Sequence, residues 1–296
     1  MRKDALRICL LVILSLLLLS GVVLLPHAPQ AAAAPAAAPG HAADPREEVV
    51  VPIIMYHSLL KDPARAGDYI ISPAVFEADL IYLMDHGYET VVVRDLIDYV
   101  DGVGVLPEKP VMITLDDGFY NNLTYALPIL ERMQMRAVVS IVGAYTDRFT
   151  ETPDPNPNYA YLAWEEVQQL AGSGYVEIQN HSYDMHGLLD RKGSARMRGE
   201  SEEHYRKLFV GDTERAQSAL REHTGETPTA YAYPFGNACE EADRFLHEMG
   251  FRATLTCREQ ENTVRRGDPE SLFGLGRFNR AAGERSAAFM RRAGIA

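Results

Sequence analysis

From Val49 onward, short β-branched runs alternate with longer amphipathic stretches, and this alternation limits the folds open to the chain more than any other feature. The runs at Val49–Met55, Thr90–Val93, Val111–Leu115, Ala137–Val142, Val176–Gln179, Ala230–Tyr233 and Ala253–Thr256 read as strands. Between them Pro73–His86, Leu123–Met133, Trp164–Ala171, Glu202–His223 and Cys239–Met249 carry helical spacing. Ser72-Pro73 caps the first helix, and Gly250 stops the last. Gly143–Ala163, containing "TPDPNPN", is expected to be a long loop. Strands linked through helices build a parallel sheet with right-handed crossovers. Roughly seven such units in about 250 residues suit one α/β barrel better than an open sheet plus a second domain. The expected domain is 46–296.

Residues 1–45 fall outside this pattern. Arg2, Lys3 and Arg7 precede an uncharged, mostly apolar run from Ile8 to Leu25, followed by a low-complexity Ala/Pro tract at 26–45. The reading is a signal peptide or signal anchor over 1–25 and a linker over 26–45. The run is near the length that spans a bilayer, and small-residue sites such as Ala31-Ala32-Ala33 also permit cleavage. Either outcome places the domain outside the cytoplasm, secreted or held at the outer face of the membrane, with no other membrane contact. A net charge of -12 without a Lys/Arg cluster excludes a nucleic-acid partner. Of three cysteines, Cys9 lies in the apolar run, which leaves Cys239 and Cys257 to pair in an oxidising compartment or to be buried separately.

The stretch "VMITLDDGFYNN" ends an interior strand on two adjacent carboxylates, Asp116 and Asp117. Burying two like charges is costly unless a positive partner is present or one carboxylate holds a proton. Other polar residues also sit just after strands: His57 after "VPIIMY", His181 and His186 after "VEIQN", and Phe235 after "AYAYP". In a parallel barrel the segments following the strands share one face. One carboxylate and two imidazoles suit zinc or another borderline divalent ion, leaving the neighbouring carboxylate free to accept a proton. Taken separately, "DDG" also fits a turn or cap, His57 a core histidine, and the two later histidines unrelated surface positions. Their convergence after separate strands favours a metal site.

Three motifs in this order, "TLDDGF" at 114–119, "HSYDMH" at 181–186 and "YPFG" at 233–236, resemble the polysaccharide deacetylases of carbohydrate esterase family 4, which share the NodB homology domain. "PIIMYHS" at 52–58 and "LAWEEVQQLAGSGYVEIQNHS" at 162–182 extend the resemblance to most of the chain after the linker. It implies a distorted (β/α)7-type barrel and divalent-metal hydrolysis of N-acetyl groups on a polymer of N-acetylglucosamine. The metal ligands would be Asp117, His181 and His186, with zinc favoured and cobalt or nickel as alternatives. Asp116 would be the general base, and the backbone N–H of Phe235 would stabilise the oxyanion.

The departures are informative. The two histidines stand five apart, as in the branch that acts on poly-β-1,6-N-acetylglucosamine, and this spacing favours that substrate over peptidoglycan or chitin. An arginine common before the motif proline is replaced by Tyr231-Ala232-Tyr233, which suggests that the base has lost its cationic partner. The late Leu-x-His motif is absent, and "LGRFNR" at 275–280 stands in its region. His57 is the candidate proton donor to the leaving amine, with Arg277 and Asp116 as alternatives. These losses keep open a reading as a catalytically impaired, metal-containing polysaccharide-binding protein. The acidic composition also suggests that a cationic glucosamine product is retained, with inhibition that weakens as salt rises.

Overall fold

In the computed structural model, residues 46–189 and 191–296 are described, so the predicted signal segment at 1–25 and the linker at 26–45 lie outside the described residues. In chain order the strands are β1 (Glu48–Val50), β2 (Ile53–Tyr56), β3 (Ser58–Leu59), β4 (Ile70–Ile71), β5 (Glu89–Val91), β6 (Pro110–Leu115), β7 (Ala137–Ile141), β8 (Val176–Asn180), β9 (Ala230–Ala232), β10 (Ala253–Leu255), β11 (Thr263–Arg265) and β12 (Phe278–Asn279). The helices are α1 (Pro73–Asp85), α2 (Val93–Val100), α3 (Leu127–Met133), α4 (Gly143–Glu151), α5 (Trp164–Gly172), α6 (Glu202–Thr224), α7 (Glu240–Glu248) and α8 (Ser286–Arg292).

The main sheet runs β10-β9-β8-β7-β6-β2-β12 with β5 on β6, and every pairing in it is parallel. It curls until residues 275–279 meet both edges: Leu275 bridges Leu255 of β10, and Phe278–Asn279 pair with β2. The result is the distorted (β/α) barrel expected from the alternation. The first predicted strand is broken in two at Pro52, which has no N–H for a ladder. Its first half pairs antiparallel with β11, and only Ile53–Tyr56 joins the barrel. Among the described residues no helix is long and apolar enough to cross a membrane.

Side-chain alternation along each strand sorts residues between two cores. On β6, Val111, Ile113 and Leu115 pack outward under the helices, while Met112 faces the barrel interior with Ile53, Val138, Ala232 and Leu255. Three helices were not anticipated: α2, α8, and α4, which occupies the start of the segment expected to be loop. Each is short, at seven to nine residues, so its period is hard to see in sequence. The predicted helix Leu123–Met133 opens with a π turn at Asn122–Ala126 before α3, and Pro128, lacking a donor, stands in the first turn of α3.

Candidate active site

The alternation that puts Met112 and Thr114 inside the barrel carries on to Asp116. Ile53, Met55 and His57 follow one another inward from β2, Glu177, Gln179 and His181 from β8, and Ala253, Leu255 and Cys257 from β10. Each series ends at the C-terminal end of the strands, where a cavity of about 550 Å³ is lined by His57, Asp116, Asp117, His181, His186 and Phe235. The structure therefore brings together all six site residues expected from sequence.

The adjacent aspartates point apart because the backbone turns between them. Asp117 has φ 72°, and Gly118 follows at φ 72°. A left-handed non-glycine residue costs about 1–2 kcal/mol, and strain of this kind persists where the surroundings enforce it. A Cβ on Gly118 would lie 2.7 Å from Ile141 Cδ1, so that side chain would have to shift, and the positive φ favours glycine in addition. The rest of the motif holds the neighbouring loop: Asn122 Nδ2 donates to the His57 carbonyl at 3.0 Å, Asn121 Nδ2 donates to Ser58 Oγ at 2.9 Å, and Asn121 Oδ1 accepts from the Leu59 N–H at 2.9 Å.

Asp116 is buried and bound at both oxygens by Arg277, whose Nη1 and Nη2 each donate at 2.7 Å. Arg277 is fully buried and also donates from Nε to the Thr256 carbonyl at 2.9 Å. This corrects the expectation that the base lacks a cationic partner. The guanidinium comes from "LGRFNR", whose alternation aims Leu275, Arg277 and Asn279 into the barrel, and the small inward side chain of Ala232 leaves β9 without an arginine at that level. Burial pushes the Asp116 carboxyl up, but Arg277 and then His181 more than offset it, and the net direction is down. The same pairing removes Arg277 as a proton donor, because its own pKa is raised.

Asp117, His181 and His186 converge so that one ligand atom from each lies within 4.8 Å of the others. His181 Nε2 is 3.4 Å and His186 Nε2 3.1 Å from Asp117 Oδ1. His181 Nδ1 donates to the Ala232 carbonyl at 2.7 Å, which fixes the tautomer and leaves a lone pair on Nε2 facing the carboxylate. Asp117 Oδ1 is buried and receives no hydrogen bond. Burial raises the Asp117 carboxyl while His181 and His186 pull it well below the ordinary range. Burial lowers His181, and Asp116 and Asp117 more than reverse this. A buried carboxylate oxygen and two imidazole Nε2 atoms that converge on one point need positive charge between them, so the donor set fits a divalent cation.

His57 is half-buried, with its Nδ1 buried and unpartnered and its ring edge-on to Tyr69 at 4.7 Å. Burial lowers its pKa, and Asp117 and Asp116 only partly oppose the shift. Phe235 has φ 57° within the turn Pro234–Gly236, and its ring lies 4.5 Å from that of His186.

With this geometry in place, comparison with known proteins is decisive. The family profile described as polysaccharide deacetylase matches residues 104–254. The chain belongs to the polysaccharide deacetylase family. The poly-beta-1,6-N-acetyl-D-glucosamine N-deacetylase of Escherichia coli (strain K12) is 24% identical over 222 residues, which are 69% of this chain and 33% of that protein. This chain thus spans about a third of that relative's length. The Staphylococcus aureus (strain MRSA252) protein of the same name is 20% identical over 201 residues, 68% of this chain and 66% of its own. The structure of IcaB from Ammonifex degensii superposes with a TM-score of 0.67 at 26% identity, covering 83% of this chain and 96% of that one. Family membership also accounts for the barrel type, since the expected distorted (β/α)7 topology is that of these structural relatives.

Several features of the site were not read from sequence. Tyr69, Phe119, Tyr159, Arg65 and Lys192 also line the cavity, and they come from irregular segments with no periodic signal. Trp164 packs instead of lining the site: its Nε1 donates to Asp147 Oδ1 at 2.7 Å and its ring stacks on His223. Cys239 and Cys257 are both free thiols, Cys257 in the cavity wall and Cys239 beside the Tyr205 hydroxyl.

Proposed function

We propose that the chain hydrolyses N-acetyl groups from an extracellular N-acetylglucosamine polymer, with poly-β-1,6-N-acetylglucosamine favoured over peptidoglycan or chitin. The observation that carries this reading is the pairing, in one cavity, of the Asp117–His181–His186 cluster with a buried carboxylate held ionised by Arg277. The substrate preference rests on the five-residue histidine spacing and on the activity for which the relatives are named. Export through the N-terminal segment suits a polymer outside the cell.

Asp117, His181 and His186 hold the divalent ion, with zinc favoured and cobalt or nickel as alternatives. When bound, the ion polarises the acetamide carbonyl and makes a water acidic enough to attack near neutral pH. Asp116, oriented by two Arg277 bonds, accepts a proton from the attacking water. The Phe235 N–H donates to the oxygen on which negative charge develops. Nitrogen must gain a proton before it leaves as the sugar amine, and the other product is acetate. His57, neutral at rest and aimed into the same cavity, takes up the proton that Asp116 accepted from the water and delivers it to that nitrogen as the C–N bond breaks, which returns Asp116 to its ionised form. Arg277 preserves the requirement for an ionised base, which weakens the reading of an impaired binding protein.

The test is acetate release by the purified, zinc- or cobalt-loaded chain from poly-β-1,6-N-acetylglucosamine, chitin oligomers and peptidoglycan in parallel. Release is expected to be greatest from the first and abolished in Asp117→Ala, while Asp116→Asn keeps the metal and loses about 10²–10⁴ in rate. A chain that binds one equivalent of metal yet releases acetate from none of them is a binding protein.

A further inference from the structure

His181 and His186 are oriented by different means. His181 extends β8 and is held by the Ala232 carbonyl. His186 stands beyond a reversal at Ser182, which has φ 76°, so no strand pleat directs it. The loop between them is instead docked between two helices. The Tyr183 and Asp184 N–H groups both donate to Asp212 of α6, to Oδ1 at 2.8 Å and Oδ2 at 2.7 Å. On the other side the Gly143 and Ala144 N–H groups at the start of α4 donate to the Ser182 and Tyr183 carbonyls at 3.1 and 2.8 Å.

Tyr183 adds a second anchor. Its hydroxyl donates to Asp147 of α4, and the Arg215 guanidinium lies 3.6 Å from the ring centre. A Cβ at Gly143 would come within 2.6 Å of the same ring, so the packing depends on glycine there. Tyr145 of α4 then donates to the His186 carbonyl at 3.3 Å. A carboxylate bound by two successive backbone amides is a strong, directional clamp.

We propose that Asp212 is a positioning residue for the metal centre, fixing the loop that presents His186, with Asp147 supporting it through Tyr183. The five-residue spacing then has a physical counterpart, because a histidine that has left the strand needs an anchor outside the strand. The inference rests on Asp117, His181 and His186 holding a divalent ion. Partners of this kind typically contribute about 10–100-fold in metal affinity.

The experiment measures zinc affinity by chelator competition and the visible spectrum of the cobalt form, for the full chain and Asp212→Asn, beside thermal melts of the metal-free proteins. The variant is expected to bind about 10–100-fold more weakly, with a changed cobalt spectrum and with deacetylation largely restored by excess metal. Affinity within twofold of the parent overturns the inference. Should Asp212→Asn fail to fold, Tyr183→Phe decides, since it removes only the hydroxyl given to Asp147: several-fold weaker binding supports the clamp and unchanged binding overturns it. A parent chain that binds no metal would instead sink the proposed metal site, so the two failures are distinguishable.

Discussion

Asp116 and Asp117 are one residue apart and have opposite electrostatic surroundings. Asp116 meets a buried guanidinium, whereas Asp117 meets two imidazole nitrogens, and the positive φ at Asp117 separates their directions. Replacing Arg277 by Gln should therefore act on Asp116 first. Without the cation, burial pushes the carboxyl up, so the base is protonated at higher pH and the acidic limb of the kcat/KM profile moves toward neutrality. In the parent the depressed pKa contributes stability above the unfolded carboxyl pKa of about 3.9, and that stability is lost as pH falls through the folded value. In the variant an uncompensated buried carboxylate costs about 3–5 kcal/mol near neutral pH, a deficit that narrows in acid as Asp116 takes a proton. Urea melts at several pH values check this, and a pH-independent deficit would contradict it. Asp116 and His181 were legible because they follow strands and continue an inward alternation, and Asp117 and His186 because they stand close by in "TLDDGF" and "HSYDMH". Arg277 was legible only as an alternative proton donor and not as the partner of Asp116, which lies 161 positions away in a contact that no local pattern encodes.

At the scale of elements, the stretch 275–280 decides whether the barrel holds. It touches β10 at Leu275 and β2 at Phe278, gives Arg277 to Asp116, and gives Arg280 to Asp79 of α1. Arg280 Nε donates to Asp79 Oδ2 at 2.7 Å with both side chains buried, and the Tyr56 hydroxyl donates to the same oxygen at 3.2 Å. Since β12 has only two residues, these side chains supply anchorage that its backbone bonds do not. Asp79→Ala leaves Arg280 charged and buried, and is expected to cost about 3–5 kcal/mol in denaturant melts. Metal affinity should change little, because Asp79 touches no proposed ligand. A loss below about 1 kcal/mol, the range of an exposed pair, would show that the strap is held some other way. The long strands and α6 could be read from their periods, whereas β12, α2, α4 and α8 could not. In those short elements, tertiary contacts such as the Arg280 pair outweigh any local pattern.

Across the whole molecule, a net charge of -12 predicts that a cationic product is retained, yet the mouth has the opposite sign. Of the charged residues lining the cavity, Asp116 is neutralised by Arg277, and Asp117 faces the ion. Arg65 and Lys192 form no ion pair among the described residues: Arg65 donates to the Asn158 carbonyl, and Lys192 stands 5.6 Å from the Phe235 ring centre. With a divalent ion in place the mouth is positive overall. A cavity of about 550 Å³ is roughly as wide as the screening length of ~8–10 Å at ordinary ionic strength, so these nearby cations outweigh the more distant acidic surface. The glucosamine product should therefore be repelled and acetate favoured. Inhibition by glucosamine oligomers is expected to strengthen as salt rises, the reverse of what net charge suggests, because screening weakens the repulsion. Lys192→Glu should make the same oligomers inhibit several-fold better at low salt, an interaction of about 1 kcal/mol. Inhibition that weakens with added salt in the parent would mean that the surface as a whole, and not its mouth, sets the fate of the product.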